Sequence, residues 1–140
     1  MRTKFLIYLL LVFFAILLSG CALMDPHYFN IARYTKNISL CEKITSNFLK
    51  ESCYSEVATK TNNPGICEKI TDDSVKDRCY TDIIRSTNNV SLCEKIIDKE
   101  GCYAEIADNV KDATLCEKIT NSSTKDWCYY NVATGMSDSN

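Results

Sequence analysis

Cysteine is the residue type in this sequence with the most evident capacity for chemistry. The chain of 140 residues contains nine cysteines and one histidine, His27. Cysteine thiols form disulfides, bind metal ions or carry covalent groups. An odd number in an exported chain indicates that one cysteine differs in role from the rest. Cys21 is that candidate, because it directly follows an apolar segment, whereas the other eight lie further along the chain.

The N-terminal twenty residues have the three parts of an export signal. Two basic residues, Arg2 and Lys4, precede an uninterrupted apolar run over residues 5–18, and Ser19-Gly20-Cys21 follows at once. A helix needs about 20 apolar residues to cross a bilayer, and this run is shorter. We therefore expect a signal peptide over residues 1–20, with an uncleaved, tilted membrane anchor as the alternative.

The sequence Leu18-Ser19-Gly20-Cys21 resembles the lipobox of prokaryotic lipoproteins. In that family the cysteine thiol receives a diacylglyceryl group and becomes the first residue after cleavage. The resemblance implies lipidation of Cys21, and a palmitate-type lipid of several chains, since one acyl chain anchors only marginally. It also implies a lipidated tether over residues 21–26 and a position at the cell membrane or envelope, on the extracytoplasmic side.

The other eight cysteines define an internal repeat. The tetrapeptide Cys-Glu-Lys-Ile occurs four times, and each copy is followed by a block of the form Lys-acid-x-Cys-Tyr. Self-alignment of such blocks is the sequence sign of a repeat array. It predicts a capping half-unit at 27–36, four units at 37–62, 63–88, 89–111 and 112–134, and a flexible tail at 135–140.

Each unit is predicted to be a helical hairpin. An Asn or Asp lies four residues before the first cysteine, where its side chain can cap a short helix, and Pro64 suits the position after such a cap. In the second block Val75, Cys79 and Ile83 recur every four residues, which places them on one helix face. We expect an all-α fold, a short right-handed-solenoid-like array of four disulfide-stapled hairpins behind an N-terminal signal helix.

Stacked hairpins of this kind are similar in architecture to tetratricopeptide and Sel1-type solenoids. The units here are shorter, because those repeats run to about 34 residues or more. The resemblance therefore implies an architecture and no function.

The eight repeat cysteines predict disulfides, because an even set in an exported chain reads as a disulfide framework. One scheme pairs them within units: Cys41 with Cys53, Cys67 with Cys79, Cys93 with Cys102 and Cys116 with Cys128. The other scheme bridges neighbouring units and leaves Cys41 and Cys128 unpaired. The capping half-unit matches the second block but lacks its cysteine, which favours pairing within units.

Aromatic residues offer the clearest candidates for contact with other molecules. One tyrosine per unit follows the second cysteine position, at residues 28, 54, 80, 103 and 129. Such a row could form a binding stripe, but a small or apolar residue four positions after each tyrosine favours packing between units. Phe48, Trp127 and Tyr130 break the repeat pattern, so we expect individual contacts there.

Charged residues are predicted to form a solvated rim. Lys69 with Asp77, and Lys118 with Asp126, are expected to pair across their hairpins. Removal of the signal peptide leaves 14 Lys and Arg against 18 Asp and Glu, so the basic patch of a nucleic-acid-binding protein is not expected.

Catalysis and metal binding have no evident constellation. The repeat cysteines lack the close Cys-x-x-Cys pairs of zinc sites. His27 has no partner for acid–base chemistry and is expected to fill the space of the missing cysteine. The sequons at Asn37, Asn89 and Asn121 matter only in a host that glycosylates exported proteins.

We expect no enzyme and no cofactor, but a membrane-anchored interaction or scaffold module. The alternative is a structural envelope spacer without a specific ligand.

Overall fold

The computed structural model describes Ile7, Leu10, Leu11 and residues 24–137, and all regular structure in this part of the chain is helical. Five α-helices are separated by four short 3₁₀ helices. The α-helices are α1 (24–35), α2 (Asn47–Thr61), α3 (Asp73–Thr87), α4 (Lys99–Val110) and α5 (Ser122–Ser137). The 3₁₀ helices are η1 (Ile38–Lys43), η2 (Pro64–Lys69), η3 (Val90–Lys95) and η4 (Ala113–Lys118). The expected all-α array of stapled helical repeats is therefore confirmed.

The predicted signal peptide lies mostly outside the described residues, and so does Cys21. Ile7, Leu10 and Leu11 are helical. Among the described residues, no helix combines the length and the apolar character that crossing a bilayer requires. Helix α1 already includes the last residues of the predicted tether, and α5 continues through Ser137 into the predicted tail.

The first helix of each unit is a 3₁₀ helix of six residues. In this geometry side chains three positions apart lie on one face. The first cysteine and the isoleucine three residues later use that spacing: Cys67 and Ile70, for example, are both buried. The predicted caps are confirmed, since Asn63 accepts a hydrogen bond from the Gly65 amide and Pro64 follows the cap directly.

The α-helices point in the same direction, and α2 packs directly on α3, as α4 does on α5. Their C-terminal ends meet, since Ser86 donates a hydrogen bond to Asn62 and Asn109 donates one to Asn88. Four residues with left-handed backbone, Lys36, Asn62, Asn88 and Lys111, end α1 to α4. Such residues allow the chain to turn sharply after a helix. Each 3₁₀ helix then returns the chain to the edge where the next α-helix begins.

The four disulfides close within units and staple each 3₁₀ helix to the α-helix that follows it. They are Cys41–Cys53, Cys67–Cys79, Cys93–Cys102 and Cys116–Cys128. The Cα atoms of each pair are 5.6 or 5.8 Å apart, inside the range of about 4.4 to 6.8 Å usual for disulfides. All eight cysteines are buried, so the sulfur atoms form part of the core.

The core runs continuously along the array. In α3 the buried residues are Cys79, Tyr80, Ile83 and Ile84, so the predicted face is buried at Cys79 and Ile83 and only half-buried at Val75. Each unit supplies too few such residues to bury a core alone, so neighbouring units must stack. His27 does not fill a cysteine space as expected, because it is exposed. A 3₁₀ helix covers the equivalent cysteine in a complete unit, and α1 has no such partner among the described residues.

Candidate interaction surfaces

One carboxylate near the start of each of the first four α-helices binds the backbone of the next unit. We call these residues the clamp acids: Asp25, Glu51, Asp77 and Glu100. Asp25 is buried and accepts hydrogen bonds from the Thr45 amide at 2.9 Å and the Ser46 amide at 2.8 Å. It also accepts one from the Thr45 hydroxyl at 2.8 Å. The clamp thus holds the turn that starts the next α-helix.

The other clamp acids repeat this arrangement. Glu51 accepts hydrogen bonds from the amide and hydroxyl of Thr71, and Glu100 does the same with Thr120. Asp77 accepts one from the Ile97 amide at 2.7 Å. Every unit is therefore joined to the one before it by carboxylate-to-amide bonds, which are stronger than bonds between neutral groups.

Charged residues of the two blocks pair across two of the hairpins, as predicted: Glu94 with Lys99 at 2.8 Å and Glu117 with Lys125 at 3.1 Å. The specific pairs Lys69 with Asp77 and Lys118 with Asp126 are wrong. Asp77 accepts the Ile97 amide, and Lys69 instead lies 3.2 Å from Glu42 of the preceding unit. Lys95 repeats this contact with Glu68 at 3.1 Å. Both pairs are about half exposed, so each contributes about 0 to 1 kcal/mol. Lys69 and Lys95 thus link the first blocks of neighbouring units.

A signal for the clamp acids was present in the sequence. An acid stands two positions before the second cysteine of every unit, where the lysine beside it favours the interpretation as half of a Lys-acid pair. The capping half-unit keeps this acid as Asp25, although Met24 replaces the lysine. Because the acid is present where the lysine is not, the partner of the acid is expected to lie outside the Lys-acid block.

The recurring tyrosines do not form an exposed stripe, since Tyr28 and Tyr129 are half-buried and a lysine of the following unit lies over the rings of Tyr54 and Tyr103. Tyr54, Tyr80 and Tyr103 are buried. The Tyr80 hydroxyl donates a hydrogen bond to Glu68 at 2.5 Å, and Tyr103 donates one to Glu94. The bond to Glu94, together with burial, raises the pKa of Tyr103 to about 12. These tyrosines are therefore structural.

We expect the protein to lose stability as pH falls below about 4.5. Hydrogen bonds from Thr71 and Thr120 lower the pKa values of Glu51 and Glu100 below the ordinary 4.5, and the Thr45 amide lowers that of Asp25 below 3.8. The unfolded chain then binds more protons, so acid favours unfolding. Urea unfolding between pH 7 and pH 2.5 measures the effect.

The contribution of the clamp acids to the pH dependence of stability can be separated from that of the other carboxylates. Glu51→Gln with Glu100→Gln should flatten the dependence of the unfolding free energy on pH. Asp126→Asn is the matched control, because Asp126 occupies the same repeat position in α5 and is exposed. An unchanged slope in the double variant would show that the clamps do not account for the acid sensitivity.

The last α-helix presents an exposed aromatic face. Trp127 is 56% exposed and Tyr130 is 67% exposed. The residues that match Trp127 in the other units are Ser52, Arg78 and Gly101, and those that match Tyr130 are Ser55, Thr81 and Ala104. Ala104 is buried. We call Asp126, Trp127 and Tyr130 the α5 face.

No protein family, curated protein or solved structure matches the chain.

An open depression of about 760 Å³ lies near the C-terminal ends of α1 and α2. Arg33, Lys36, Lys60 and Tyr34 are among the residues that line it. The described lining residues include three cations and no acid, a combination that would attract an anion. All four side chains are exposed, so these residues offer no buried polar group that would fix a ligand's orientation.

In the described part of the chain, no cluster of three or more His, Cys, Asp or Glu residues could hold a metal ion.

Proposed function

We propose that this protein is a membrane-anchored, extracytoplasmic lipoprotein that binds a protein partner through the α5 face. The anchor is a lipid on Cys21, supported by the likeness of Leu18-Ser19-Gly20-Cys21 to a lipobox. Residues 1–20 are the signal peptide removed on export. The eight repeat cysteines fit an oxidising compartment, where disulfides persist.

The exposure of Trp127 and Tyr130 is the observation that carries the binding proposal. Solenoid arrays end in capping repeats whose outer face is polar, which keeps them soluble. Here the outer face of the last described helix carries two large aromatic side chains where other units have smaller or polar residues. Tryptophan and tyrosine are enriched among the residues that dominate the free energy of protein–protein binding.

The internal contacts of the array indicate what the α5 face would bind. Asp126 is exposed and stands at the clamp position, where Glu51, Asp77 and Glu100 accept backbone amides of a following unit. The α5 face continues this unit-to-unit interface. The partner is therefore a polypeptide segment that presents free backbone amides beside an apolar side chain.

Site-specific photo-crosslinking in the envelope of the producing organism tests partner binding. A photoreactive residue replaces the exposed Ala133, one helical turn beyond Tyr130, and a control copy carries it at Tyr34. We expect one saturable adduct from position 133 and none of that size from position 34. Trp127→Ser with Tyr130→Ser, the residues of the first unit, should abolish the adduct while the disulfides remain intact.

Two results would count against partner binding. An adduct that persists in the double serine variant would exclude the α5 face, and no saturable adduct at all would favour the spacer. If the protein is instead a structural envelope spacer, deletion of residues 63–88 should leave growth unchanged.

Labelling with a clickable palmitate analogue tests the anchor separately. We expect label on the wild-type chain and none on Cys21→Ser, because the thiol is the acceptor. Cys41→Ser with Cys53→Ser is the control, and it should keep the label. Equal labelling of the Cys21→Ser variant would exclude Cys21 as the lipidated residue.

A further inference from the structure

The ends of the α-helices form two opposite edges of the array. The clamp hydrogen bonds join the start of each α-helix to the start of the next: Asp25 to Ser46, Glu51 to Asp72, and Glu100 to Asn121. We call the edge formed by residues 24–25, 45–48, 71–74, 97–99 and 120–123 the N-terminal edge. The C-terminal ends of the helices lie along the other edge.

Two residues of the N-terminal edge are apolar and strongly exposed. Phe48 is 75% exposed, and Ile97 is 82% exposed. The equivalents of Phe48 are Ser74 and Ser123, and the equivalents of Ile97 are Thr45, Thr71 and Thr120. Both positions thus carry a hydroxyl in the units where they are not apolar. Neither side chain is buried in the core, so packing does not explain why Phe48 and Ile97 stand where other units have serine or threonine.

The same edge lies beside the point of attachment. Met24, at the start of α1, belongs to the N-terminal edge and is itself 45% exposed. Met24 lies three positions after Cys21 in the sequence, and three extended residues span about 11 Å at most. A lipid on Cys21 would hold this edge close to the bilayer surface. An amphipathic surface helix buries its apolar face about 5 to 10 Å into the headgroup boundary.

We propose that the N-terminal edge lies on the membrane, with Phe48 and Ile97 inserted among the lipid headgroups. This inference rests on the membrane anchorage of the proposed function. Phe48 belongs to α2 and Ile97 precedes α4, so both reach the bilayer only if the array lies along the surface. The partner of this edge is the lipid surface itself, and the α5 face is left free at the end of the array.

Tryptophan depth measurements on the full chain in vesicles test the orientation. The reporter variants carry Phe48→Trp or Ile97→Trp in a Trp127→Phe background, which removes the only native tryptophan. The vesicles are phosphatidylcholine with bromine on the upper acyl chains, which quenches nearby tryptophan. We expect quenching and a shift of emission to shorter wavelength at both positions.

A matched control lies at the opposite edge. Tyr34 is 90% exposed and belongs to α1, so Tyr34→Trp is near the anchor in sequence but points away from the bilayer in this orientation. We expect no quenching there. Quenching at position 34 equal to that at positions 48 and 97, or no quenching at 48 and 97 in vesicle-bound protein, would overturn the proposed orientation.

The experiment separates this inference from the proposed function. Mass spectrometry of the same preparation reports whether Cys21 carries lipid. A chain without lipid contradicts the lipoprotein proposal, yet its apolar segment over residues 5–18 still attaches it to the vesicle, so the quenching pattern still decides how the edge lies.

Discussion

Replacing Cys67 and Cys79 by alanine is expected to lower the free energy of unfolding by about 3 kcal/mol. The disulfide joins residues 12 positions apart. A crosslink of this length restricts the unfolded chain, and a small array has only about 5 to 15 kcal/mol of net stability. Urea unfolding followed by far-UV circular dichroism measures the change.

The single variants provide the control for this prediction. Cys67→Ala and Cys79→Ala each remove the same bond, so each should cost about as much as the double variant. Additive costs would instead indicate that the two side chains contribute by packing alone.

Reduction of all four disulfides should unfold the array at room temperature, because the summed loss of free energy is comparable to the whole free energy of unfolding. Retention of cooperative unfolding after complete reduction would contradict that expectation.

Ile83→Ala is expected to lower the free energy of unfolding by about 2 to 5 kcal/mol. Ile83 is 1% exposed and lies in the core that runs through the stacked units. Its replacement removes three carbon atoms and leaves a cavity that the surrounding helices fill only in part. Ile97→Ala is the matched control, since that isoleucine is exposed, and its effect should stay within about 0.5 kcal/mol.

The Ile83→Ala variant also shows whether the units fold together. Hydrogen exchange of backbone amides in α2 and α5 reports on units on either side of Ile83. If the core is shared, protection should fall in both helices by a similar factor. A loss confined to α3 would indicate units that unfold independently and would contradict a continuous core.

Local features of this fold follow from the sequence. Asn37, Asn63, Asn89 and Asp112 each accept a hydrogen bond from the amide two residues on, as the position of an Asn or Asp before the cysteine predicted. Capping involves neighbours in the chain, so a short pattern contains the information. Pairing of cysteines within units followed from the half-unit that lacks a cysteine.

Features that depend on distant neighbours were missed or misjudged. The clamp acids bind amides about twenty residues away, and charge spacing alone suggested lysine partners instead. His27 was expected to be buried because the equivalent cysteines are, yet burial there depends on a 3₁₀ helix packed across the α-helix. Phe48, Trp127 and Tyr130 were noticed as departures from the repeat, and the structure adds that all three are exposed.

Disulfide mapping of protein taken from its native envelope tests the central claim most directly. Digestion without reduction, followed by mass spectrometry, identifies which cysteine peptides are joined. We predict links between Cys41 and Cys53, Cys67 and Cys79, Cys93 and Cys102, and Cys116 and Cys128. Links between neighbouring units, such as Cys53 with Cys67, or free thiols at these eight positions would contradict an array of individually stapled units.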